Sequence, residues 1–368
     1  MLPILSELFS DRPATLRSRI IGLYALLAVF NLGAWGWALL LFHAQPVLLG
    51  TALLAYGLGL RHAVDADHIA AIDNVTRKLM QEGRRPAAIG FFFALGHSSI
   101  VILATAALAL AAGAVKEWLP ALQSLGGTIG TLVSALFLLA IAAMNLAVLL
   151  AVYRSYRGVK SGAAYDEGDL DTLLSGCGVL ARLLRPLFRI IQHSWHMYPL
   201  GVLFGLGFDT ATEIGLLGLS AAQVSSGMPI WSILVFPALF TAGMTLVDTT
   251  DGLLMLRAYG WAFLEPMRKL RYNMAITLLS AVVALGIGGV EALGLLGDRL
   301  GLSGWLWDRI DAVNDQLGLI GFGVIGSFLL IWAGAVAFHR PRGYHPAESE
   351  TAGRLPWNAS PSRSRKSC

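Results

Sequence analysis

The sequence predicts an all-α polytopic membrane protein, and two observations lead to that prediction. Only 14% of the 368 residues are charged and 56% are hydrophobic, whereas soluble globular proteins are roughly 25% charged. The hydrophobic residues also fall into stretches of about 20, each long enough to cross a bilayer core of roughly 30 Å as a helix. This composition excludes most classes of soluble enzyme.

Eight such stretches define a predicted transmembrane transport domain over residues 20–338. The predicted spans 1 to 8 cover residues 20–42, 47–75, 86–113, 127–152, 198–221, 228–256, 272–297 and 316–338. Residues 1–19 form a cytoplasmic N-terminal segment, and a loop covers about 153–197. Residues 339–368 are rich in Pro, Ser and Arg, which is typical of a disordered tail.

The basic residues predict the orientation of the chain. Of the 27 Lys and Arg residues, 23 lie in the N-terminal segment, in alternate loops and in the tail, and only 3 lie in the opposite loops. The positive-inside rule therefore places both termini in the cytoplasm, as an even number of spans requires. Because these charges lie in loops between apolar spans, the net charge of +4 does not indicate a nucleic-acid partner.

A short internal repeat is present. Gly57-Leu58-Gly59 in span 2 aligns with Gly205-Leu206-Gly207 in span 5, and Gly96-His97 then falls opposite Gly243-Met244. With four spans in each half, the expected arrangement is a parallel 4+4 repeat about an axis along the membrane normal.

Ionisable residues are concentrated in spans 2, 3, 5 and 6. These spans contain seven carboxylates and three histidines but a single arginine, Arg61. At about 2.5–3.5 kcal/mol for each charge at a helix centre, the charged residues of span 2 alone would cost on the order of 10 kcal/mol. Salt bridges to one arginine cannot neutralise seven carboxylates, so we predict that a cation enters the cluster.

The positions of these residues favour a common site. His62 and His97 both lie near mid-membrane at 1.5 Å of rise per residue. His62, Asp65, His68 and Asp73 share an arc of about 140° on span 2, but Asp67 points about 140° away from His62. Either Asp67 contacts a neighbouring helix, or span 2 unwinds between His62 and His68, as helices do at many transporter sites.

The donor types indicate the class of metal. Imidazole with carboxylate suits borderline divalent ions such as Ni, Co, Zn, Fe or Mn. Cys177 and Cys368 lie outside the spans, so no thiolate cage is available within the membrane. Met244 is the only sulfur in the four polar segments, and packing in the core is the favoured interpretation of it.

Four motifs resemble the signatures of the nickel/cobalt transporter (NiCoT) permeases. They are HAVDADH (62–68), LGHSS (95–99), LGFDTATE (206–213) and GMTLVDTTDG (243–252), in that order. The resemblance implies high-affinity uptake of Ni(II) or Co(II) across a bacterial cytoplasmic membrane. It also implies that the span 2 motif is essential, and that the span 3 motif takes part in binding and selectivity.

We therefore predict a metal site and a transport path. The metal ligands are predicted to be His62, Asp65, Asp67, His68 and His97. The path towards the cytoplasm is predicted to use Asp73, Ser98, Asp209, Thr210, Thr212, Glu213, Asp248, Thr249 and Asp251.

Three alternative functions are weighed against uptake. The first two are an exporter of the same metals and a carrier of Mn or Zn, and ligand types alone do not separate these from uptake. The third is a membrane-embedded metalloenzyme, but three histidines are too few for a di-iron enzyme and HExxH is absent. Since no GxxxxGK[ST] loop is present, we expect a secondary transporter with no cofactor, whose partners are the metal ion and the lipid bilayer.

Overall fold

The computed structural model describes residues 9–11, 16–110, 115–160, 191–206, 211–262 and 266–338. Over these ranges the structure is helical and contains no strand. A short 3₁₀ turn, Ser194–His196, directly precedes the helix that begins at Met197. The helices are α1 (Leu16–Phe42), α2 (Pro46–His62), α3 (Ala66–Gln81), α4 (Ile89–Leu110), α5 (Val115–Lys160), α6 (Met197–Gly205), α7 (Ala211–Ser225), α8 (Ile230–Ile233), α9 (Val235–Ala262), α10 (Pro266–Leu300), α11 (Trp305–Asn314) and α12 (Leu317–Phe338).

Five helical segments are long and apolar enough to cross a membrane. They are Leu16–Phe42, Ile89–Leu110, Ser124–Ala147, Ile230–Ala258 and Thr277–Leu300, and the bent pair α2–α3 makes a sixth if it counts as one span. A polytopic, all-helical membrane protein is thereby confirmed. The count of eight spans and the cytoplasmic location of both termini stay predictions.

Span 2 is broken at the position of its polar motif. Helix α2 ends at His62 and α3 begins at Ala66, and the two axes meet at 51°. Of the two explanations offered for Asp67, unwinding between His62 and His68 is therefore observed. Because the helix is broken at residues 63–65, the regular 100° rotation per residue does not apply across the motif.

Helix α12 closes onto this break. A Cβ atom added to Gly321 would lie 1.7 Å from the carbonyl oxygen of Val64, inside the broken segment. Only a glycine permits such a close approach of two backbones. The break is therefore packed against a neighbouring helix.

Two pairs of helices approach each other through glycines. A Cβ atom on Gly59 of α2 would lie 2.1 Å from the Phe240 carbonyl oxygen of α9, and one on Gly201 of α6 would lie 2.1 Å from the Phe93 carbonyl oxygen of α4. Small residues at such crossings allow the close backbone packing that is typical of membrane helices. Helices α2 and α9, and likewise α4 and α6, are thus held together at short range.

The distribution of polarity is that of a membrane protein. Large apolar side chains such as Leu32, Leu40 and Leu330 are exposed, whereas His68 and Asp248 are fully buried. An exposed apolar surface of this kind is suited to lipid.

Several helices differ from the ranges predicted from hydropathy. Helices α5 and α10 continue for 46 and 35 residues, beyond the apolar stretches 127–152 and 272–297. Hydropathy marks only the apolar part of a helix, and these helices continue through polar residues. The predicted loop between spans 7 and 8 contains helix α11, whose Trp307 packs beside Gly297 of α10.

Some predictions fall on residues that the structure does not describe. They concern Asp209 and Thr210, most of the 153–197 loop, the first eight residues and the tail 339–368. Residues 207–210 lie between α6 and α7, which together occupy predicted span 5.

Candidate metal site

Three buried imidazoles meet at the break in span 2. His62 is the last residue of α2, His68 lies in the first turn of α3 and His97 lies in α4. Their exposed fractions are 1%, 0% and 3%. One nitrogen from each ring lies within 4.8 Å of the other two. We call these residues the three-histidine cluster.

The rings are close enough to share one ion. Their centroids are 4.6 to 4.9 Å apart, and the Nε2 atoms of His62 and His97 are 2.9 Å apart. The break in span 2 makes this possible, because it brings His62 and His68 together from two separate helices. One proton between the two Nε2 atoms can hold this arrangement in the metal-free protein, and a metal ion would displace it.

A carboxylate orients His62. With its proton on Nδ1, His62 donates to Asp65 Oδ2 at 2.9 Å, and Asp65 Oδ1 accepts a bond of 2.7 Å from Arg61. Thr212 Oγ1 lies 3.0 Å from the same Nδ1 atom. A histidine that donates one N–H to a carboxylate presents its other nitrogen to a metal, which is the usual outer-shell arrangement of metal ligands. Asp65 therefore fits a supporting role more directly than the ligand role predicted for it.

Asp65 makes these contacts with Arg61 and His62 from the start of α3. It occupies the N-cap position, but its side chain makes no capping hydrogen bond. The first backbone N–H groups of a helix usually need such a partner. The carboxylate is directed instead towards Arg61 and His62, so a normal helix cap is given up in favour of the cluster.

Carboxylates from two other helices reach the remaining histidines. Glu213 Oε1 of α7 lies 2.8 Å from His97 Nε2, and Asp248 Oδ2 of α9 lies 3.5 Å from His68 Nδ1. Both acids are buried, at 1% and 0% exposure. The cluster thus combines nitrogen donors with negative charge, a combination that suits a borderline divalent cation.

Several polar atoms at the site are left without hydrogen bonds. Both ring nitrogens of His68 and both carboxylate oxygens of Asp248 and of Asp251 are buried and make no hydrogen bond with any residue that the structure describes. Buried polar atoms normally have partners, because leaving one unpaired costs about 1–3 kcal/mol or more. Imidazole nitrogens and carboxylate oxygens are ligands of divalent cations, so a bound ion would provide the missing partners.

A second group of acids lies on α3 and α9 beside the cluster. Asp73 accepts a hydrogen bond of 2.7 Å from Ser280, a partner that no sequence pattern predicts. Asp251 is 4% exposed and lies on the same helix as Asp248. Thr249, also buried, lies between these two acids in the sequence of α9.

The other predicted residues take different positions. Asp67 lies in the first turn of α3 and is only partly buried. The Ser98 hydroxyl contacts the sulfur of Met244 at 3.5 Å. Asp209 and Thr210 lie outside the described residues.

Two aromatic walls were missed by the sequence analysis. The ring of Phe93 lies 4.8 Å from that of His68, and the ring of Phe240 lies 5.6 Å from that of His62. Phe93 precedes His97 by one helical turn and so shares its face, a spacing that could have identified it. Both rings help to exclude water from the cluster.

Comparisons with known proteins agree with one another. The family described as "High-affinity nickel-transport protein" matches residues 48–338. The chain is 58% identical to a high-affinity nickel transport protein of Cupriavidus necator, over 90% of this chain and 95% of the relative. It is 45% identical to the nickel transporter NicT of Mycobacterium tuberculosis, over 84% and 86% of the two chains. It is 41% identical to the cobalt transport protein NhlF of Rhodococcus rhodochrous, over 79% and 83%. No solved structure matches the chain.

Proposed function

This chain belongs to the high-affinity nickel-transport protein family, and from that premise we propose that it takes up Ni(II), and also Co(II), across the bacterial inner membrane. The relatives are transport proteins and not enzymes, which rules against the metalloenzyme alternative. Names of relatives support nickel most directly, and one relative is a cobalt transport protein. Export has no support among them.

The observation that carries the proposal is the buried three-histidine cluster at the break in span 2. An ion about 2.1 Å from each of two imidazole nitrogens that are 2.9 Å apart, as in His62 and His97, would hold them at roughly a right angle. Angles of this size occur between neighbouring ligands in the square-planar and octahedral complexes of Ni(II). We therefore assign the ion to His62, His68 and His97, with Asp65, Glu213 and Asp248 balancing its charge.

The acids beyond the cluster provide the exit that we propose. Asp248 lies beside His68, and Asp251 follows it by one turn on α9, so an ion leaving the histidines can pass from one carboxylate to the next. Asp73 of α3 and Thr249 extend this set of oxygens. Oxygen ligands bind a borderline ion less tightly than imidazole does, and weaker binding favours release.

The orientation of the chain supports inward movement. We propose eight spans with both termini in the cytoplasm, since 23 of the 27 basic residues lie on that side in this topology. In the same topology α9 runs inwards, and Asp248 and Asp251 lie on the cytoplasmic side of the cluster.

We also propose an internal repeat that differs from the parallel 4+4 arrangement. A Cβ atom on Gly243 of α9 would approach the Tyr56 carbonyl oxygen of α2, and a Cβ atom on Gly96 of α4 would approach the Tyr198 carbonyl oxygen of α6. These two contacts correspond if α2 is equivalent to α6 and α9 is equivalent to α4. Span 2 is then equivalent to span 5, and span 3 to span 6. An offset of three spans reverses direction across the membrane, so the repeat is inverted, with its axis in the membrane plane.

The residues that correspond in this repeat also differ from those that the sequence alignment paired. Gly59 follows Tyr56 by three residues, and Gly201 follows Tyr198 by three, and both glycines meet a phenylalanine carbonyl of the neighbouring helix. Gly59 therefore corresponds to Gly201, and not to Gly207. Inverted repeats are a common basis for alternating access around a central site.

Uptake of radiolabelled metal tests the proposed function. In cells without other importers, His62→Ala and His68→Ala should abolish accumulation of Ni and Co at limiting metal, because each removes one nitrogen ligand from a buried site. His43→Ala is the matched control, since His43 lies at the exposed end of α1. Normal uptake by both cluster variants, at equal abundance in the membrane, would place the site elsewhere.

A further inference from the structure

One face of α9 is turned towards the three-histidine cluster. Phe240 and Asp248 lie two turns apart on α9, and they contact His62 and His68, at 5.6 Å between ring centroids and 3.5 Å between polar atoms. Met244 lies midway between them at i+4, and four residues of an α-helix advance only about 40° around its axis. Met244 therefore lies on the same face of α9, between the residues that contact the two imidazoles.

A second contact fixes the position of its sulfur. The Ser98 hydroxyl of α4 lies 3.5 Å from Met244 Sδ, and Ser98 directly follows His97. Met244 has no exposed surface. The sulfur thus contacts Ser98 of α4, while Phe240 and Asp248, one turn before and one turn after Met244 on α9, contact His62 and His68.

We propose that the thioether of Met244 is a soft donor to the transported ion and a determinant of metal selectivity. This inference rests on the proposed function of the cluster. Carboxylates alone would favour hard ions such as Mg(II) and Mn(II), and imidazole shifts the preference towards borderline ions. A thioether shifts it further in the same direction. The role differs from the core packing that the sequence favoured for this residue.

The donation from Ser98 supports a defined geometry. Methionine has a flexible side chain that can fill irregular gaps without any preferred contact. Here the hydroxyl contact holds the sulfur against α4, at the residue that follows His97. The proposed inverted repeat is consistent with this position, because it places Gly243-Met244 opposite Gly96-His97.

Substitution with a matched control tests the inference. Met244→Leu conserves volume and removes the sulfur, and Met255→Leu makes the same change at a buried site farther along α9. We expect Met244→Leu to weaken Ni uptake at least about tenfold at limiting metal and to make it more sensitive to competing Mn. Met255→Leu should leave both unchanged. Equal competition profiles for the two variants would overturn the inference.

The coordination of bound nickel gives a measurement that needs no substitution. Nickel K-edge X-ray absorption of the purified, Ni-loaded protein should contain a sulfur shell, and selenomethionine labelling should replace it with a selenium shell. A shell of nitrogen and oxygen alone, unchanged by labelling, would overturn the inference. His62→Ala separates the two proposals: if it abolishes uptake while Met244→Leu does not alter selectivity, only the role of Met244 fails.

Discussion

In the site that we propose, a buried polar residue can bind the metal or can support another polar residue. Asp65 illustrates the second case, because its two oxygens are used by Arg61 and His62. In our interpretation it supplies charge and fixes the tautomer of His62, while the nitrogen opposite binds the ion. Groups of this kind usually change metal affinity by about 10–100-fold when they are removed.

Asp65→Asn tests this role. The amide keeps the shape of the side chain but removes the negative charge, so His62 loses its fixed orientation and Arg61 loses its ion pair. We expect the half-saturating nickel concentration for uptake to rise by about 10–100-fold, with normal abundance in the membrane.

Asp308→Asn is a suitable control for that variant. Asp308 lies in the first turn of α11 and is exposed, so its neutralisation should leave uptake unchanged. Wild-type nickel dependence in Asp65→Asn would contradict a supporting role for Asp65.

The sequence predicted residue types better than residue roles. It identified the three histidines and the acids around them because ionisable groups are costly within apolar spans and therefore indicate a functional site. It could not separate Asp65 from Asp67, since that depends on the direction of side chains at a break. Ser280 was missed because a serine in an apolar helix has no distinctive pattern.

At the scale of helices, the broken span is the feature that builds the site. A continuous helix would place His62 and His68 on the regular 100° spiral, and it would leave no free helix ends near the ion. The misfit of Asp67 was a usable signal of the break, but the position of the break at residues 63–65 depends on tertiary packing. The contact between Gly321 and Val64 is one part of that packing.

Gly321→Ala should disturb the break. Its methyl group would start 1.7 Å from the Val64 carbonyl oxygen, so α12 or the broken segment must shift. Overpacking of this kind typically costs about 1–3 kcal/mol. We expect a lower midpoint in thermal denaturation of the purified protein and reduced uptake of nickel.

Gly323→Ala provides the comparison within the same helix. No atom lies within 4 Å of a Cβ built on Gly323, and alanine is the better helix former. This variant should be as stable as the wild type or slightly more so. If both variants behave alike, the contact with Val64 does not hold the break in place.

At the scale of the whole molecule, topology and energetics are linked. The basic residues predict the orientation, and in the topology that we propose the acids of α9 lie on the side from which the ion would leave. Hydropathy correctly predicted a polytopic, all-helical membrane protein, because the bilayer restricts spanning segments to helices of defined length, and the count of eight spans stays a prediction. It did not predict α11 or the extensions of α5 and α10, which lie outside the apolar stretches.

The membrane potential can supply the energy for uptake. A divalent ion moving inwards through a potential of 100 mV gains about 4.6 kcal/mol, at about 2.3 kcal/mol for each charge. At 1.4 kcal/mol per decade this corresponds to roughly a 10³-fold gradient, enough to scavenge a trace metal.

Since the sequence contains no GxxxxGK[ST] loop, we expect purified protein in liposomes to accumulate labelled Ni or Co when the interior is made negative by a potassium gradient with valinomycin. Reversing the potential should suppress accumulation, and liposomes with His62→Ala should show none in either direction. Uptake that ignores both the potential and an imposed pH gradient, yet requires added ATP and a second protein, would contradict secondary transport.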